Sequence, residues 1–401
     1  MDPRPRSGDD ASVPHATAAT PTAGREFLFI QSTTEVGGAE TVLLNLFEAS
    51  EELRRRSLIA TLGFGNGDLP ARLRRAGAEV VELKMARLRY PWKLASTFRA
   101  LRELVLAAGA RVVVGNGGHP QVIGGLVARL AGARSAFVVH AIYPTKVRET
   151  DPRDVLALHG PCDLMMPVSK AAEAALRGIR PGIDIRLLYN GTPQRTVSPD
   201  DARAARAELG ATEDEVVIGS FGRLQRWKGQ DVFIAAARNV ARDRPRARFV
   251  VVGGATFGFE ADYAEGLKTA AAVPELEGRV TFTGFRTDVA RLMAACDVVC
   301  HTSRVPEPFG LVIVEAMALG RAVIATAGGG PSEIISSPEE GVLVAPDDAA
   351  ALAAAMRELV DDPQRRARLG ARGQERVRAH FSIDVMASTL LRYLDGVIRD
   401  C

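Results

Sequence analysis

Two glutamates, Glu307 and Glu315, lie eight positions apart and flank a Pro-Phe-Gly turn that leads into an apolar run. Residues 310–319 are rich in Leu, Val, Ala and Met, which predicts a buried helix with Pro308 in the turn before it. A helix N-terminus offers unpaired N–H groups and a partial positive charge, which favour a phosphate. At about 1.5 Å per residue, Glu315 lies roughly 7.5 Å along this helix, near a ribose attached to a bound pyrophosphate. The spacing therefore indicates a nucleoside-diphosphate site, with Glu307 facing the group on the distal phosphate.

A strand is predicted at residues 216–221, and two cations follow it. The segment GRLQRWKG places Arg223 and Lys228 five positions apart at the end of that strand. A diphosphate leaving group needs cations because negative charge grows on it as its bond to the sugar breaks. Arginine can also bind two phosphate oxygens at once. The alternative is a solvated basic loop.

The Glu-Pro-Phe-Gly segment with its second glutamate resembles the E-x7-E element of retaining GT-B glycosyltransferases. The group concerned is glycosyltransferase family 4, which holds sucrose synthases and bacterial mannosyltransferases. This resemblance implies catalytic roles for Glu307, Arg223 and Lys228, and the family's spacing favours Arg223 over Arg226. It also implies a nucleotide-sugar donor and retention at the anomeric carbon.

The first half of the chain adds a glycine pair and a histidine. Gly37 and Gly38 open a predicted helix, where paired glycines allow close backbone approach to a ligand. The segment is not G-x-G-x-x-G, which argues against a nicotinamide enzyme. It resembles the family's GGAE loop near the donor phosphate, and the family often has a histidine at the position of His140, which we include among the catalytic residues. His119 is a second, weaker strand-end candidate, and His301 is a weaker one whose strand position also fits the core.

The resemblance assigns further residues to the donor site. A glycine loop at 328–330 should face the sugar, and Glu333 either helps it do so or caps its own helix. The donor-binding residues implied in this way are Gly37, Gly38, Phe285, Arg286, Ser303, Phe309, Gly310, Leu311, Val312 and Glu315.

Short β-branched runs alternate with helical patterns along the chain, which predicts parallel sheets covered by helices on both faces. A break at Asn190-Gly191-Thr192-Pro193 separates two such series. We expect an α/β protein of the GT-B fold, with two Rossmann-like domains facing across a cleft. The predicted parts are a disordered tail at 1–24, an acceptor domain at 25–191, a donor domain at 192–378, and a C-terminal helix at 379–401 that packs back on the first domain. A further strand is predicted at residues 186–189.

Composition narrows the function. The 401 residues are 47% hydrophobic and 25% charged with a net charge of +3, which is too small to indicate nucleic acid as a partner. There is no apolar segment typical of a signal peptide or a membrane span, so we expect a cytoplasmic protein. The second option is a peripheral position at the inner face of the membrane. The chain has neither a D-x-D motif nor a P-loop. We therefore expect no metal and no cofactor, and the cations would neutralise the diphosphate.

The acceptor is the open part of the prediction. Its site should lie on the loops at 85–93, 116–121 and 141–150. Residues 84–93 mix four cations with Tyr and Trp, which suits an anionic membrane or a phosphorylated acceptor, although a solvated loop is the alternative. We expect transfer of a hexosyl group from a UDP- or GDP-sugar to a glycan, polysaccharide or glycolipid acceptor of the cell envelope. The alternatives are a small soluble acceptor of the natural-product or inositol type, a GT-B nucleotide-sugar 2-epimerase, and a catalytically idle binding protein.

Overall fold

The computed structural model describes residues 23–64, 67–83, 91–144, 158–255 and 260–399, without the side chains at 64, 91–94 and 119. Most of the predicted tail and of the segment 84–93 lies outside these residues. The described strands form two sheets. Those of the first sheet are β1 Phe27–Thr33, β2 Ser57–Phe64, β3 Glu79–Glu82, β4 Val112–Asn116, β5 Arg134–Val139, β6 Leu164–Pro167 and β7 Asp184–Ile185. Those of the second are β8 Val216–Phe221, β9 Ala247–Val252, β10 Val280–Gly284, β11 Val298–His301, β12 Ala322–Thr326 and β13 Val342–Val344.

Both sheets are parallel throughout, as the alternation of strand and helix patterns predicts. Their orders are β3-β2-β1-β4-β5-β6-β7 and β10-β9-β8-β11-β12-β13. The central strands are continuous apolar runs because helices cover both faces of a parallel sheet. The residues of β4 and β8 are all buried, for example.

Helices fill the crossovers between the strands. In the first domain they are α1 Gly38–Ala49, α2 Glu51–Arg56, α3 Leu69–Arg75, α4 Pro91–Ala108, α5 Gly118–Ala131 and α6 Lys170–Ile179. The second domain has α7 Pro199–Glu208, α8 Gln230–Ala241, α9 Ala261–Ala271, α10 Val289–Ala294, α11 Leu311–Ala318, α12 Pro331–Ile334, α13 Ala349–Asp361 and α14 Pro363–His380, and α15 Ile383–Arg399 ends the described chain.

The predicted strand at 186–189 is wrong. The strand in this region is the two-residue β7, and the chain beyond it has no regular structure. Arg186 and Leu188 still donate from their backbone N–H groups to the carbonyls of Met165 and Pro167 on β6, at 3.0 and 2.9 Å. Proline has no N–H group to return, so the ladder between these segments stays incomplete.

Two segments connect the domains, and they are hydrogen-bonded to each other. Thr192 N–H donates to the Phe381 carbonyl at 2.9 Å, and Ile383 N–H donates to the Thr192 carbonyl at 3.0 Å. Beyond this bridge, α15 returns to the first domain. There, Asp395 accepts from Arg56 at 2.5 Å, and Tyr393 donates to the Leu187 carbonyl at 3.1 Å.

Candidate active site

The loops that carry Arg223, Lys228 and Glu307 leave neighbouring strands of the second sheet. β8 ends before Arg223, and β11 ends at His301, six residues before Glu307. These strands are paired at the centre of the sheet. Ligands of such sheets bind beyond the carboxyl ends of the strands. The topology therefore brings Lys228 and Glu307 together, although they are 79 positions apart.

Three side chains hold one oxygen of the Glu307 carboxylate. Glu307 Oε2 accepts from Lys228 Nζ at 2.7 Å and from Ser303 Oγ at 2.8 Å, and it lies 3.2 Å from His301 Nε2. Ser303 Oγ is also 3.1 Å from His301 Nε2. No hydrogen bond within the described ranges reaches Glu307 Oε1. The carboxylate is therefore fixed through one oxygen, and its other oxygen is left for a ligand.

Glu307 stays ionised in this position. Burial alone would raise its pKa, but the hydrogen bond from His301 and the charge of Lys228 hold the pKa of Glu307 well below its usual range. Its buried neighbour His301 has an Nδ1 atom without a hydrogen-bond partner in the described structure. The sequence offered His301 only as a weak candidate, but the structure places it against Glu307.

A glycine loop supports the backbone of Glu307. Gly330 N–H donates to the Glu307 carbonyl at 2.9 Å. A Cβ atom at Gly329, where φ is +67°, would lie 2.2 Å from the same carbonyl oxygen. The predicted loop at 328–330 thus packs against the backbone of Glu307. Only glycine fits such a close backbone approach at a positive φ.

Arg223 and Arg226 have different surroundings. Arg223 is exposed, and its guanidinium makes no ion pair or hydrogen bond with any residue the structure describes. Arg226 instead pairs with Asp262 and lies over the ring of Tyr263 at 5.4 Å from the centroid. The free guanidinium at the strand end is therefore that of Arg223, the residue favoured from the sequence.

Helix α11 begins at Leu311, directly after Glu307-Pro308-Phe309-Gly310. Gly310 adopts φ +104° as the residue before the helix, and the first turn carries the backbone N–H groups of Leu311 and Val312. A Cβ atom at Gly38 would lie 3.5 Å from Leu311 Cδ1, so the Gly37–Gly38 loop of the first domain faces this helix start. The Phe309 ring points elsewhere and packs against Tyr189 and Phe381, which leaves only its backbone for a ligand.

Glu315 lies one turn into α11 and is half-buried. Burial raises the pKa of its carboxyl to about 7, and the charge of Arg195 opposes this shift. Near pH 7 this carboxyl therefore exists in both protonation states.

His140 follows β5 in the first domain. Its Nε2 atom lies 2.7 Å from Asn116 Oδ1, and burial lowers its pKa to about 4. The ring is therefore neutral at pH 7. The side chain of the other first-domain candidate, His119, lies outside the described part of the structure.

Phe285 and Arg286, two of the predicted donor-binding residues, differ in their contacts. Phe285 is 72% exposed and free to contact a ligand. The Arg286 guanidinium is engaged by Asp288 at 2.8 Å and by Glu208. A donor-binding role for the Arg286 side chain stays a prediction, and it would require breaking these ion pairs.

The Glu333 carboxylate makes its hydrogen bonds away from its own helix. It accepts from the backbone N–H groups of Lys170 and Ala171, at 2.8 and 3.0 Å, at the start of α6 in the other domain. Tyr189 Oη donates to it at 2.9 Å. Glu333 therefore caps a helix across the cleft, which complements that helix's positive end.

We expect Glu333→Ala to loosen the contact between the domains. Losing a capping carboxylate costs about 1 kcal/mol, which corresponds to a fall in Tm of roughly 2–4 °C. The open form should also become more populated, with a larger radius of gyration in small-angle X-ray scattering. Glu339→Ala, an exposed neighbour, is the control. Equal Tm and equal radius of gyration in the two variants would contradict this role for Glu333.

Residues 201–376 match the family model described as glycosyl transferases group 1. The second domain belongs to this family. Over 219 residues the chain is 38% identical to a D-inositol 3-phosphate glycosyltransferase of Stackebrandtia nassauensis, covering 52% of this chain and 48% of the relative. Over 226 residues it is 33% identical to a GDP-mannose-dependent monoacylated alpha-(1-6)-phosphatidylinositol monomannoside mannosyltransferase of Corynebacterium glutamicum, covering 54% of this chain and 55% of the relative. These matches span about half the length of the two relatives.

Solved structures resemble this chain over nearly its whole length. Anabaena Alr3699/HepE, solved with UDP and glucose, is 28% identical with a TM-score of 0.81, covering 92% of this chain and 99% of that one. The sucrose-phosphate synthase of Thermosynechococcus elongatus shares the fold at 24% identity, with a TM-score of 0.75 and coverage of 94% and 99%. The family and the GT-B fold expected from the E-x7-E element are thus confirmed.

The described residues contain neither a candidate membrane span nor a candidate metal site. None of their helices combines the length and apolar character needed to cross a membrane. No group of three His, Cys, Asp or Glu side chains among them is arranged to hold a metal ion.

Proposed function

We propose that this group 1 glycosyl transferase moves a hexosyl group from a UDP- or GDP-linked sugar to an acceptor hydroxyl, with retention at the anomeric carbon. The observation that carries the proposal is the Glu307 carboxylate, held by Lys228, His301 and Ser303 beside the start of α11. A fixed anion next to a helix N-terminus and a free arginine suits a substrate whose positive and negative charges separate as it reacts.

The donor would lie along α11. The N–H groups of Leu311 and Val312 and the exposed Arg223 would take the diphosphate, while Glu315 would accept from the ribose hydroxyls. The structures of Alr3699/HepE with UDP, and with UDP-glucose, support a donor of this class. These groups would supply the charge neutralisation without a metal.

Glu307 would act by position and charge. Its unengaged Oε1 would orient a sugar hydroxyl and stabilise positive charge on the ring as the bond to the diphosphate breaks. We propose attack from the same face as the departing diphosphate, whose oxygen takes the proton of the acceptor hydroxyl. Retention then needs no protein nucleophile beneath the anomeric carbon.

For the acceptor, we propose a glycan, polysaccharide or glycolipid of the cell envelope, handled at the membrane surface. The mannosyltransferase of Corynebacterium glutamicum is named for a phosphatidylinositol acceptor, which supports this class. The relative from Stackebrandtia nassauensis is named for D-inositol 3-phosphate, so a small acceptor of the inositol type is the second candidate.

Turnover of a panel of UDP-, GDP- and ADP-sugars, followed by mass spectrometry with and without EDTA, tests the proposal. We expect slow release of one nucleoside diphosphate without acceptor, unaffected by EDTA and lost in Arg223→Ala. A new nucleotide sugar would instead identify an epimerase. Absence of both nucleotide binding and turnover would contradict the proposal, and transfer to inositol phosphate but not to a lipid acceptor would select the small-acceptor alternative.

Donor affinity should rise with pH because ribose hydroxyls donate to the carboxylate form of Glu315. With its pKa at about 7, the ionised fraction grows about tenfold between pH 6 and pH 8. We expect the Kd for the preferred nucleotide sugar, measured by calorimetry, to fall by up to about tenfold over this range. A sugar diphosphate diester does not titrate there, so the change would report on the protein.

Glu315→Gln is the control and should give a flat profile. The substitution should also change how the free energy of unfolding depends on pH, since the pKa of Glu315 in the folded protein lies above the ordinary 4.5. The folded form then binds more protons between pH 4.5 and 7, so this group's contribution to stability is lost as pH rises through that window. If the wild-type Kd does not change with pH, Glu315 is not the ribose ligand.

A further inference from the structure

Four polar side chains form a hydrogen-bonded chain beneath the first-domain side of the cleft. Glu40 Oε1 lies 2.8 Å from Gln31 Nε2, Gln31 Oε1 lies 2.7 Å from Asn116 Nδ2, and Asn116 Oδ1 lies 2.7 Å from His140 Nε2. Gln31 and Asn116 are buried, at 1% and 6% exposure. We call this set the Glu40–His140 relay. It joins the glycine loop at 37–38 to His140, for which the family resemblance implies a catalytic role.

The direction of each hydrogen bond follows from the Glu40 end. A carboxylate only accepts, and that of Glu40 accepts from Gly37 N–H at 3.1 Å as well as from Gln31. Gln31 must therefore turn its NH₂ group to Glu40 and its carbonyl to Asn116. Asn116 then donates to Gln31, and its NH₂ group also reaches the Ala39 carbonyl at 3.4 Å. Gln31 Oε1 and the Ala39 carbonyl are both acceptors here, so each fixes the orientation of the Asn116 amide with its NH₂ group toward them.

Only the Asn116 carbonyl remains to meet His140. We propose that the relay holds His140 as the tautomer protonated on Nε2, so that Nδ1 presents a lone pair to a hydroxyl of the substrate. Gln31, Glu40 and Asn116 are then positioning residues for the transfer. This inference rests on the proposed function, together with the catalytic role near the transferred sugar or acceptor that the family resemblance implies for His140.

The surroundings of the ring agree with this state. In the described structure His140 Nδ1 has no hydrogen-bond partner, and the residue is half-buried rather than fully enclosed. Burial lowers the pKa of His140, which keeps the ring neutral at pH 7. A neutral ring with an open lone pair attracts a hydroxyl and repels a phosphate oxygen. The relay therefore selects the hydroxyl-bearing part of the substrate at this position.

Nitrogen-15 NMR of histidine-labelled protein tests the tautomer directly. The chain has six histidines, so His140→Gln assigns the signal. We expect the intact protein to show protonated Nε2 and unprotonated Nδ1 between pH 6 and 8. Asn116→Ala should give a mixture of tautomers and a kcat lowered about tenfold, because the acceptor for Nε2–H is gone. Asn116→Asp keeps that acceptor and should restore the tautomer. Asn239→Ala, in the other domain, is the control.

Each outcome bears on the proposal. A ring protonated on Nδ1 in the intact protein, or an unchanged tautomer in Asn116→Ala, would overturn the relay. A lost tautomer with unchanged kcat would remove its role in transfer. If no nucleotide sugar is bound or turned over, the proposed function fails, while the tautomer still decides whether the relay sets the state of His140.

Discussion

Lys228→Ala will lower kcat by about 10²–10³-fold, the cost of removing a group that stabilises charge in the transition state. Lys228 is the sole lysine or arginine among the described residues that pairs with Glu307, at 2.7 Å. Without it, the buried carboxylate keeps only Ser303 and His301, and its pKa will rise toward the usual range. Initial rates of diphosphate release measure the effect, with saturation by donor to separate kcat from KM.

Lys268→Ala is the matched control, because this lysine is exposed on α9 and pairs only with Glu265 among the described residues. We expect its kinetics to equal those of the unmodified protein. A Lys228→Ala variant with folded-state circular dichroism and undiminished kcat would show that Lys228 is not part of the catalytic machinery.

Gly330→Ala will lower the stability of the second domain by about 3 kcal/mol. Its φ of −55° suits any residue, so the obstacle is space. A Cβ atom would lie 2.2 Å from the Phe309 carbonyl oxygen and 2.4 Å from Phe309 Cα, and neither backbone atom can move aside freely. At roughly 2–4 °C per kcal/mol, the Tm of this domain should fall by about 6–12 °C. Activity should fall too, since Gly330 N–H supports Glu307.

Gly266→Ala provides the comparison. Gly266 lies inside α9 with nothing within 4 Å of a Cβ atom, so alanine should stabilise the helix by about 0.5–1 kcal/mol. Differential scanning calorimetry of both variants checks the contrast. Similar small shifts in the two would mean that the loop at 328–330 adapts to a side chain.

The sequence was most informative where function depends on backbone geometry. Gly310 before an apolar run predicted the start of α11, and two strand–helix series predicted the two parallel sheets. Glu307 and its partners Lys228, His301 and Ser303 could each be recognised in the sequence as polar side chains that end or follow a strand. The sequence did not show that Lys228, His301 and Ser303 converge on one carboxylate oxygen of Glu307. Their convergence depends on contact between β8 and β11, and sequence spacing does not give strand order.

Other features of the fold have a signal in the sequence that helix and strand propensities do not interpret correctly. Helix α14 was not predicted because Gly370 and Gly373 lie inside it, and glycine disfavours a helix interior. The structure shows their use, since a Cβ atom at Gly370 would lie 2.1 Å from the Gly320 carbonyl oxygen. Gln31 and Asn116 form the last pair between the adjacent strands β1 and β4, and two polar residues near the carboxyl ends of predicted strands could have indicated the relay to His140.

Glu333 and Gly330 are three residues apart, and each contacts a different part of the molecule. Glu333 holds the start of α6 in the first domain, and Gly330 holds the backbone of Glu307. Under the proposed function, opening of the cleft to exchange nucleotide would break the contact of Glu333 with α6 and give the short segment from Gly330 to Glu333 more freedom. We therefore expect the open enzyme to be a poor catalyst of donor hydrolysis, so that the activated sugar is spared from water until both halves of the molecule have engaged it.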